Sequence, residues 1–139
     1  ISHYFAAEAL DAAHHHLDVK QELVLSFAYA FRGIFDGIKN ERNMMIHYSV
    51  VVLVVVFGVT LKLTVTEWGI CLILCGMVIA LEQVNTAIEA VVDLVTEEHK
   101  ELARLAKDTA AGAVLVAAIT AAIVGGLIFF PKLAQLFGL

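Results

Sequence analysis

The 139-residue chain has little that interrupts a helix and little charge: one proline, with Asp, Glu, Lys and Arg together making only 17%. Set against 60% hydrophobic residues and a mean hydropathy of +0.86, this is the composition of an integral membrane protein. Basic residues number nine against fourteen acids, for a formal net charge of −5, and they form no stripe or groove, which argues against nucleic acid as a partner. The two cysteines, Cys71 and Cys75, lie one helical turn apart in an apolar run, where a pair suits packing better than a disulfide. Gly33 and Gly37 form a GxxxG step, but no strand precedes it and no GK[ST] follows, so close packing is a better reading than a phosphate loop. The start is polar and His-rich rather than patterned as a secretory signal. His14, His15 and His16 diverge by about 100° each on a helix and cannot easily converge on one ion, so a solvated triplet is expected.

What the chain does have is a polar insertion where lipid-facing residues would be expected. The apolar run WGICLILCGMVIAL passes without a turn signal into EQVNTAIEAVVD, Glu82 to Asp93, so one helix is expected to carry both. On it Glu82, Asn85, Glu89 and Asp93 fall within roughly an 80° arc. A charge near the bilayer centre costs about 2.5–3.5 kcal/mol even on lenient scales, so such residues face a protein interior or cavity and usually work there. The alternative is the end of a membrane helix whose acids simply reach water.

Taken in order, residues 3–17 space Tyr4, Phe5, Ala9, Leu10 and Ala13 as a weak amphipathic helix. Gln21 to Asn40 makes a better one, with Leu23, Phe27, Phe31, Ile34, Phe35 and Ile38 on one side. Residues 1–43 are thus expected to form amphipathic N-terminal helices ending in the charged KNERN cluster. Transmembrane helices are expected over 44–61, 68–95 and 109–130, which makes one all-α domain. Lys62 and Glu67 bracket the turn between the first two spans, and Trp68 sits where aromatic anchors are usual. TEEHKELARLAKD reads as a helical connection, with Glu97, Lys100, Glu101 and Arg104 in solvated i,i+3 and i,i+4 pairs. The last span carries small residues at four-residue spacing, Ala113, Ala117, Ala121 and Gly125 beside Ala118, Ala122 and Gly126, which implies close helix contact and an oligomer.

Seven of the nine basic residues (Lys20, Arg32, Lys39, Arg42, Lys100, Arg104 and Lys107) precede the first span or separate the second from the third, whereas Lys62 and Lys132 mark the far side. The positive-inside rule makes the first group cytoplasmic. The acidic stripe, Glu41 and the Lys107–Asp108 pair then share the face with access to ATP. Oxygen ligands of this kind suit Mg²⁺, which takes one or two carboxylates and leaves other positions to water and phosphates. Phosphoryl transfer needs that metal, a cation and a group to receive the acceptor's proton, so a kinase is coherent here without a Walker loop.

Glu82 to Asp93 matches E-x-x-N-[ST]-A-I-E-x-V-V-D, and the match continues through SFAYAFRGI, ERN, EW, AKDTAAGAVL and FFPKL. In this the chain, from about Ser26 onward, resembles the small bacterial integral-membrane lipid kinases, the diacylglycerol kinase and undecaprenol kinase family. The resemblance implies a homotrimer of three-helix protomers in the bacterial cell membrane, with an amphipathic N-terminal helix, a cytoplasmic N-terminus and active sites shared between subunits. It implies that Glu82 takes the proton from the lipid hydroxyl, that Glu41 and Glu89 hold Mg²⁺ against the phosphates of ATP, and that Asn85, Asp93, Lys107 and Asp108 surround the nucleotide. Tyr29 and Arg32 carry over as further nucleotide contacts.

His47, six residues after Glu41, together with EW and FFPKL, resembles the Gram-positive branch that phosphorylates undecaprenol; diacylglycerol kinases typically have a carboxylate there. His47 either bears on the lipid acceptor or packs at the interface. One departure stands out: Leu23, Val24 and Leu25 replace the basic residues that usually precede SFxYAxxG, and residues 1–19 match no family pattern. The expectation is an ATP- and Mg²⁺-dependent kinase acting on undecaprenol, with diacylglycerol as the alternative acceptor. A non-catalytic scaffold or a proton pathway is the alternative of another class, although a proton pathway would place acids along more of the membrane depth.

Overall fold

The structure is a computed structural model that describes the backbone of residues 2–40 and 42–139 and, in the first helix, the side chains of residues 10, 12 and 18–39. Its four elements are helices: α1 (Ser2–Asn40), α2 (Arg42–Thr60), α3 (Val65–Val95) and α4 (Glu101–Leu136). No strand occurs among the described residues. The last three helices are each long and apolar enough to cross a membrane.

The chain divides into two compact units, residues 1–39 and 40–139. The first is α1, which runs as one helix through the segment where the sequence suggested two. Asp18, Val19 and Lys20 contain neither glycine nor proline, so nothing stops the helix there. Its aromatic side chains Phe27, Phe31 and Phe35 are exposed.

In the second unit α3 is central, packing extensively on α4 and more lightly on α2. The α3–α4 core is small: Cys71 and Val78 are buried on α3, and Ala110, Val114 and Ala117, on one face of α4, are buried with them. Of the small-residue rows, Ala117 thus lies in the core, while Ala118, Ala121 and Gly125 line a groove that α4 forms with α2 and α3. The outer surface is strongly apolar, with Leu72 at 75% and Leu127 at 71% exposure. Apolar side chains outside and carboxylate inside is the reverse of a water-soluble core, and it suits lipid as the solvent.

Local chemistry fixes the turn between α2 and α3. Lys62 takes the left-handed conformation, with φ of 56°. Thr64 then caps α3: its hydroxyl accepts from the Glu67 amide and the Glu67 carboxylate accepts from the Thr64 amide, both at 3.2 Å. The ring of Trp68 lies over Gly58, where a Cβ would come within 2.5 Å of Trp68 Cη2, so the turn requires glycine. At this end of the bundle Lys132 Nζ of α4 pairs with Glu67 Oε2 at 3.0 Å. The partnership groups Lys62 and Lys132 at one end, as their spacing in the sequence suggested.

Helix α4 extends beyond the expected span in both directions. It begins at Glu101, taking in the polar ELARLAKD, and continues through Pro131 to Leu136. Proline removes one backbone donor and one hydrogen bond, yet the helix carries on for five more residues. That extension places Lys132 opposite Glu67.

Candidate active site

The polar stripe of α3 is graded in burial along the helix axis. Glu82 is 3% exposed, Asn85 is 7% exposed, Glu89 is half-buried, and Asp93 is exposed. A rise of 1.5 Å per residue sets Glu82 about 10 Å from Glu89 and about 16 Å from Asp93 along the axis. The stripe therefore leads from the helix interface toward water.

Each level of the stripe has a different partner. Glu82 Oε2 lies 3.6 Å from Nε2 of His47 on α2. Asn85 Nδ2 donates to Glu89 Oε1 at 3.3 Å, which leaves Asn85 Oδ1 buried without a hydrogen-bond partner. An unpaired buried carbonyl costs about 1–3 kcal/mol, so this oxygen is poised for a donor or a cation. Lys107 Nζ donates to Asp93 Oδ1 at 2.6 Å and ties α3 to α4. Lys107 precedes the apolar run of α4, and the hydrogen bond to Asp93 raises its ammonium pKa above the ordinary lysine value, with the charge of Glu89 acting in the same direction. The ammonium therefore stays charged beside the carboxylates.

The structure thus brings together His47, Glu82, Asn85 and Glu89, and beside them Asp93 and Lys107. Asp108 faces along its own helix, its Oδ2 accepting from Arg104 Nη1 at 2.8 Å, while Arg104 also pairs with Glu101. Arg104 is the residue that sequence reasoning left on a solvated face; its position three residues after one acid and four before another is the signal for a cation held in place. Lys107, Arg104, Asp93 and Asp108 line a polar basin of about 280 Å³ between the end of α3 and the start of α4. Tyr29 and Arg32 lie on α1, with the guanidinium 5.9 Å from the Tyr29 ring centroid, in a unit separate from these residues. Glu41 lies outside the described residues.

Beside His47 opens an apolar groove of about 420 Å³, walled by Val50 and Val54 of α2, Leu74 and Val78 of α3, and Ala121 and Phe129 of α4. Among the described residues no three His, Cys, Asp or Glu side chains converge as a ready-made metal site. The chemistry of the donors fits Mg²⁺ nonetheless, because that ion binds through one or two carboxylates together with nucleotide phosphates. Glu89, held by Asn85, offers one such carboxylate.

Three apolar helices with a graded carboxylate stripe at one end define a multi-pass membrane protein with polar chemistry at an interface. Comparison with known proteins narrows this class. The family model for prokaryotic diacylglycerol kinase matches residues 28–129. The undecaprenol kinase of Bacillus subtilis is 46% identical over 108 residues, covering 78% of this chain and 88% of that protein. A diacylglycerol kinase of Synechocystis is 42% identical over 119 residues, 85% of this chain and 68% of that protein. The Escherichia coli diacylglycerol kinase is 32% identical over 101 residues, 73% and 83% respectively. The chain belongs to the prokaryotic diacylglycerol kinase family, and is accordingly a lipid kinase.

Proposed function

We propose that the chain transfers the γ-phosphate of ATP to the hydroxyl of undecaprenol at the stripe of α3, on the cytoplasmic face of a bacterial cell membrane. The observation that carries this reading is the buried Glu82 carboxylate beside His47, next to an apolar groove and one helical turn from the unpaired Asn85 oxygen. A hydrocarbon chain lying in the groove would bring a terminal hydroxyl to Glu82, and His47 at that place bears on which acceptor fits. The likeness to the Bacillus subtilis undecaprenol kinase supports the choice of acceptor.

In the reaction the acceptor oxygen forms a bond to the γ-phosphorus as its proton passes to Glu82, and the bond from the γ-phosphorus to the β,γ-bridging oxygen breaks to release ADP. Glu89 and Glu41 would hold Mg²⁺, which supplies charge neutralisation to the phosphates. Asn85 fixes Glu89 and offers its free oxygen to the reacting groups. Asp93, Lys107 and Asp108 position the nucleotide from the polar basin, with Tyr29 and Arg32 as further contacts. A positioned base contributes about 10²–10⁴-fold to such a transfer. Membership of the family supports assembly of three copies, with sites shared between neighbours.

Diacylglycerol is the second acceptor to weigh, since the Synechocystis relative covers more of the chain than the Bacillus subtilis one does. Labelled γ-phosphate transfer from ATP, measured with undecaprenol and with diacylglycerol separately in mixed micelles, decides between them. A specificity (kcat/KM) higher for undecaprenol is expected. Preference for diacylglycerol would replace the acceptor, and transfer to neither by folded protein would remove the reading.

A further inference from the structure

Gly125 stands inside α4 at a place where the backbone does not call for glycine. It is helical, has no positive φ, and a Cβ built on it would meet nothing within 4 Å. Its neighbour Gly126 differs, since a Cβ there would press on the Phe130 ring at 3.2 Å. Glycine in a helix interior is less stable than alanine, because it has more backbone freedom to lose on folding. What the residue supplies at 125 is empty width, and that width opens on the groove beside His47.

The groove extends further than this one cavity. A second apolar cavity of about 270 Å³, reaching Phe57 and Leu133, shares Val50, Val54 and Phe129 with the first. Together they run about 15 Å along α2, from His47 to Phe57, and about 22 Å along α4, from Ala118 to Leu133. The hydrocarbon core of a bilayer is about 30 Å thick. Beyond His47 no residue on either cavity is a charged one, so the walls suit hydrocarbon throughout. The walls also differ in bulk: α2 and α3 present Val50, Val54, Leu74 and Val78, whereas α4 presents Ala118, Ala121, Ala122 and Gly125. The width of the groove is therefore set from α4. At its polar end the groove meets the buried carboxylate, for Nε2 of His47 is 3.6 Å from Glu82 Oε2. That continuity makes the chain of the acceptor its occupant.

We propose that Gly125 and Ala121 hold the groove wide enough for a methyl-branched polyprenyl chain and so select the acceptor. The inference rests on the kinase reading and on the groove as the place of the acceptor's hydrocarbon. Methyl branches along the chain fill the width that the small residues leave. A straight acyl chain leaves part of it empty, and wall atoms facing a gap forfeit their dispersion contacts. A side chain grown from position 125 takes the room of the branches first.

The test is steady-state transfer of labelled phosphate from ATP by the full chain in mixed micelles, comparing wild type with Gly125→Ala, Gly125→Leu and Ala121→Leu. The acceptors are undecaprenol, a straight-chain primary alcohol and diacylglycerol; the first two each offer one primary hydroxyl, so their comparison reads the chain. In Gly125→Leu and Ala121→Leu the loss of kcat/KM should be about 10- to 100-fold greater for undecaprenol than for either straight-chain acceptor, the scale on which an apolar pocket registers a small change of volume. Gly125→Ala, whose added methyl meets no neighbouring atom, should fall between wild type and Gly125→Leu. Equal losses for all acceptors, or no loss for undecaprenol, would overturn the assignment. So would a smaller oligomer for Gly125→Leu than for wild type on chemical cross-linking, which would give the glycine to contact between copies. Transfer to none of the acceptors by folded wild type would instead remove the kinase reading, an outcome distinct from variants that treat branched and straight chains alike.

Discussion

Replacing Asn85 with leucine should separate stability from activity. Asn85 is 7% exposed; it gives one hydrogen bond of 3.3 Å to Glu89 and leaves Oδ1 buried without a partner. Losing the bond costs about 0.5–1.5 kcal/mol, since its length and the half-buried Glu89 put it at the weaker end for charged acceptors, while removing the orphaned carbonyl returns about 1–3 kcal/mol. Leucine has a similar volume, so the sum runs from about 0.5 kcal/mol less stable to about 2.5 kcal/mol more stable than wild type. Transfer should nevertheless fall about 10²–10³-fold, the loss seen when one preorganised polar group is taken from a reacting centre. Reversible unfolding by SDS in mixed micelles measures the first quantity and labelled phosphate transfer the second. A variant destabilised by more than about 2 kcal/mol with its transfer rate intact would show that Asn85 is a structural residue and that the reasoning from its unpaired oxygen is wrong.

Three further expectations concern the frame around the site. Gly58→Ala should cost about 1–3 kcal/mol through the 2.5 Å approach to Trp68; because Trp68 is the chain's single tryptophan, its fluorescence reports the change at the turn directly. Lys107→Met, which removes the 2.6 Å bond to Asp93, should raise KM for ATP more than KM for the lipid, and a rise confined to the lipid would place Lys107 elsewhere in the reaction. Lys62→Cys should react from outside the cell with a membrane-impermeant maleimide while Arg104→Cys does not. The opposite pattern would invert the orientation taken from the basic residues.

Much of this organisation was legible in the sequence because the physics that sets it is local. The three- and four-residue spacing of Glu82, Asn85, Glu89 and Asp93 is enough to put them on one face, and apolar runs bounded by Lys62 and Lys132 are enough to mark spans. The 3.6 Å approach of His47 to Glu82 was not legible, because it depends on how α2 and α3 pack and joins residues thirty-five apart in sequence. Nor was the pairing of Lys132 with Glu67, which requires α4 to continue through Pro131, beyond the span of 109–130 expected from the sequence. The single run of α1 was missed for a different reason: the apolar face fades around Asp18 to Lys20, and a weak amphipathic pattern does not distinguish a helix boundary from a polar turn of one helix.

The small residues of α4 show the limit of reading spacing alone. Their rows promised close approach, and Ala117 delivers it against α3, but Ala118, Ala121 and Gly125 open a groove instead. Which residue of a row packs and which lines a cavity depends on the side chains opposite, and the backbones of α2 and α4 stay more than 8 Å apart. The same absence of side-chain bulk therefore serves packing on one face and space on another. On the proposed reading, the hydrocarbon chain of the lipid acceptor would lie in that space.

The most direct test of the account is the rate of labelled γ-phosphate transfer from ATP by Glu82→Gln, with nucleotide and lipid binding measured on the same preparation. Loss of transfer by about 10²–10⁴-fold with both affinities retained is the result the account predicts for a buried carboxylate acting as the base. Transfer at the wild-type rate by a folded Glu82→Gln protein would contradict it, and would move the chemistry away from the end of α3 where Glu82, Asn85 and His47 meet.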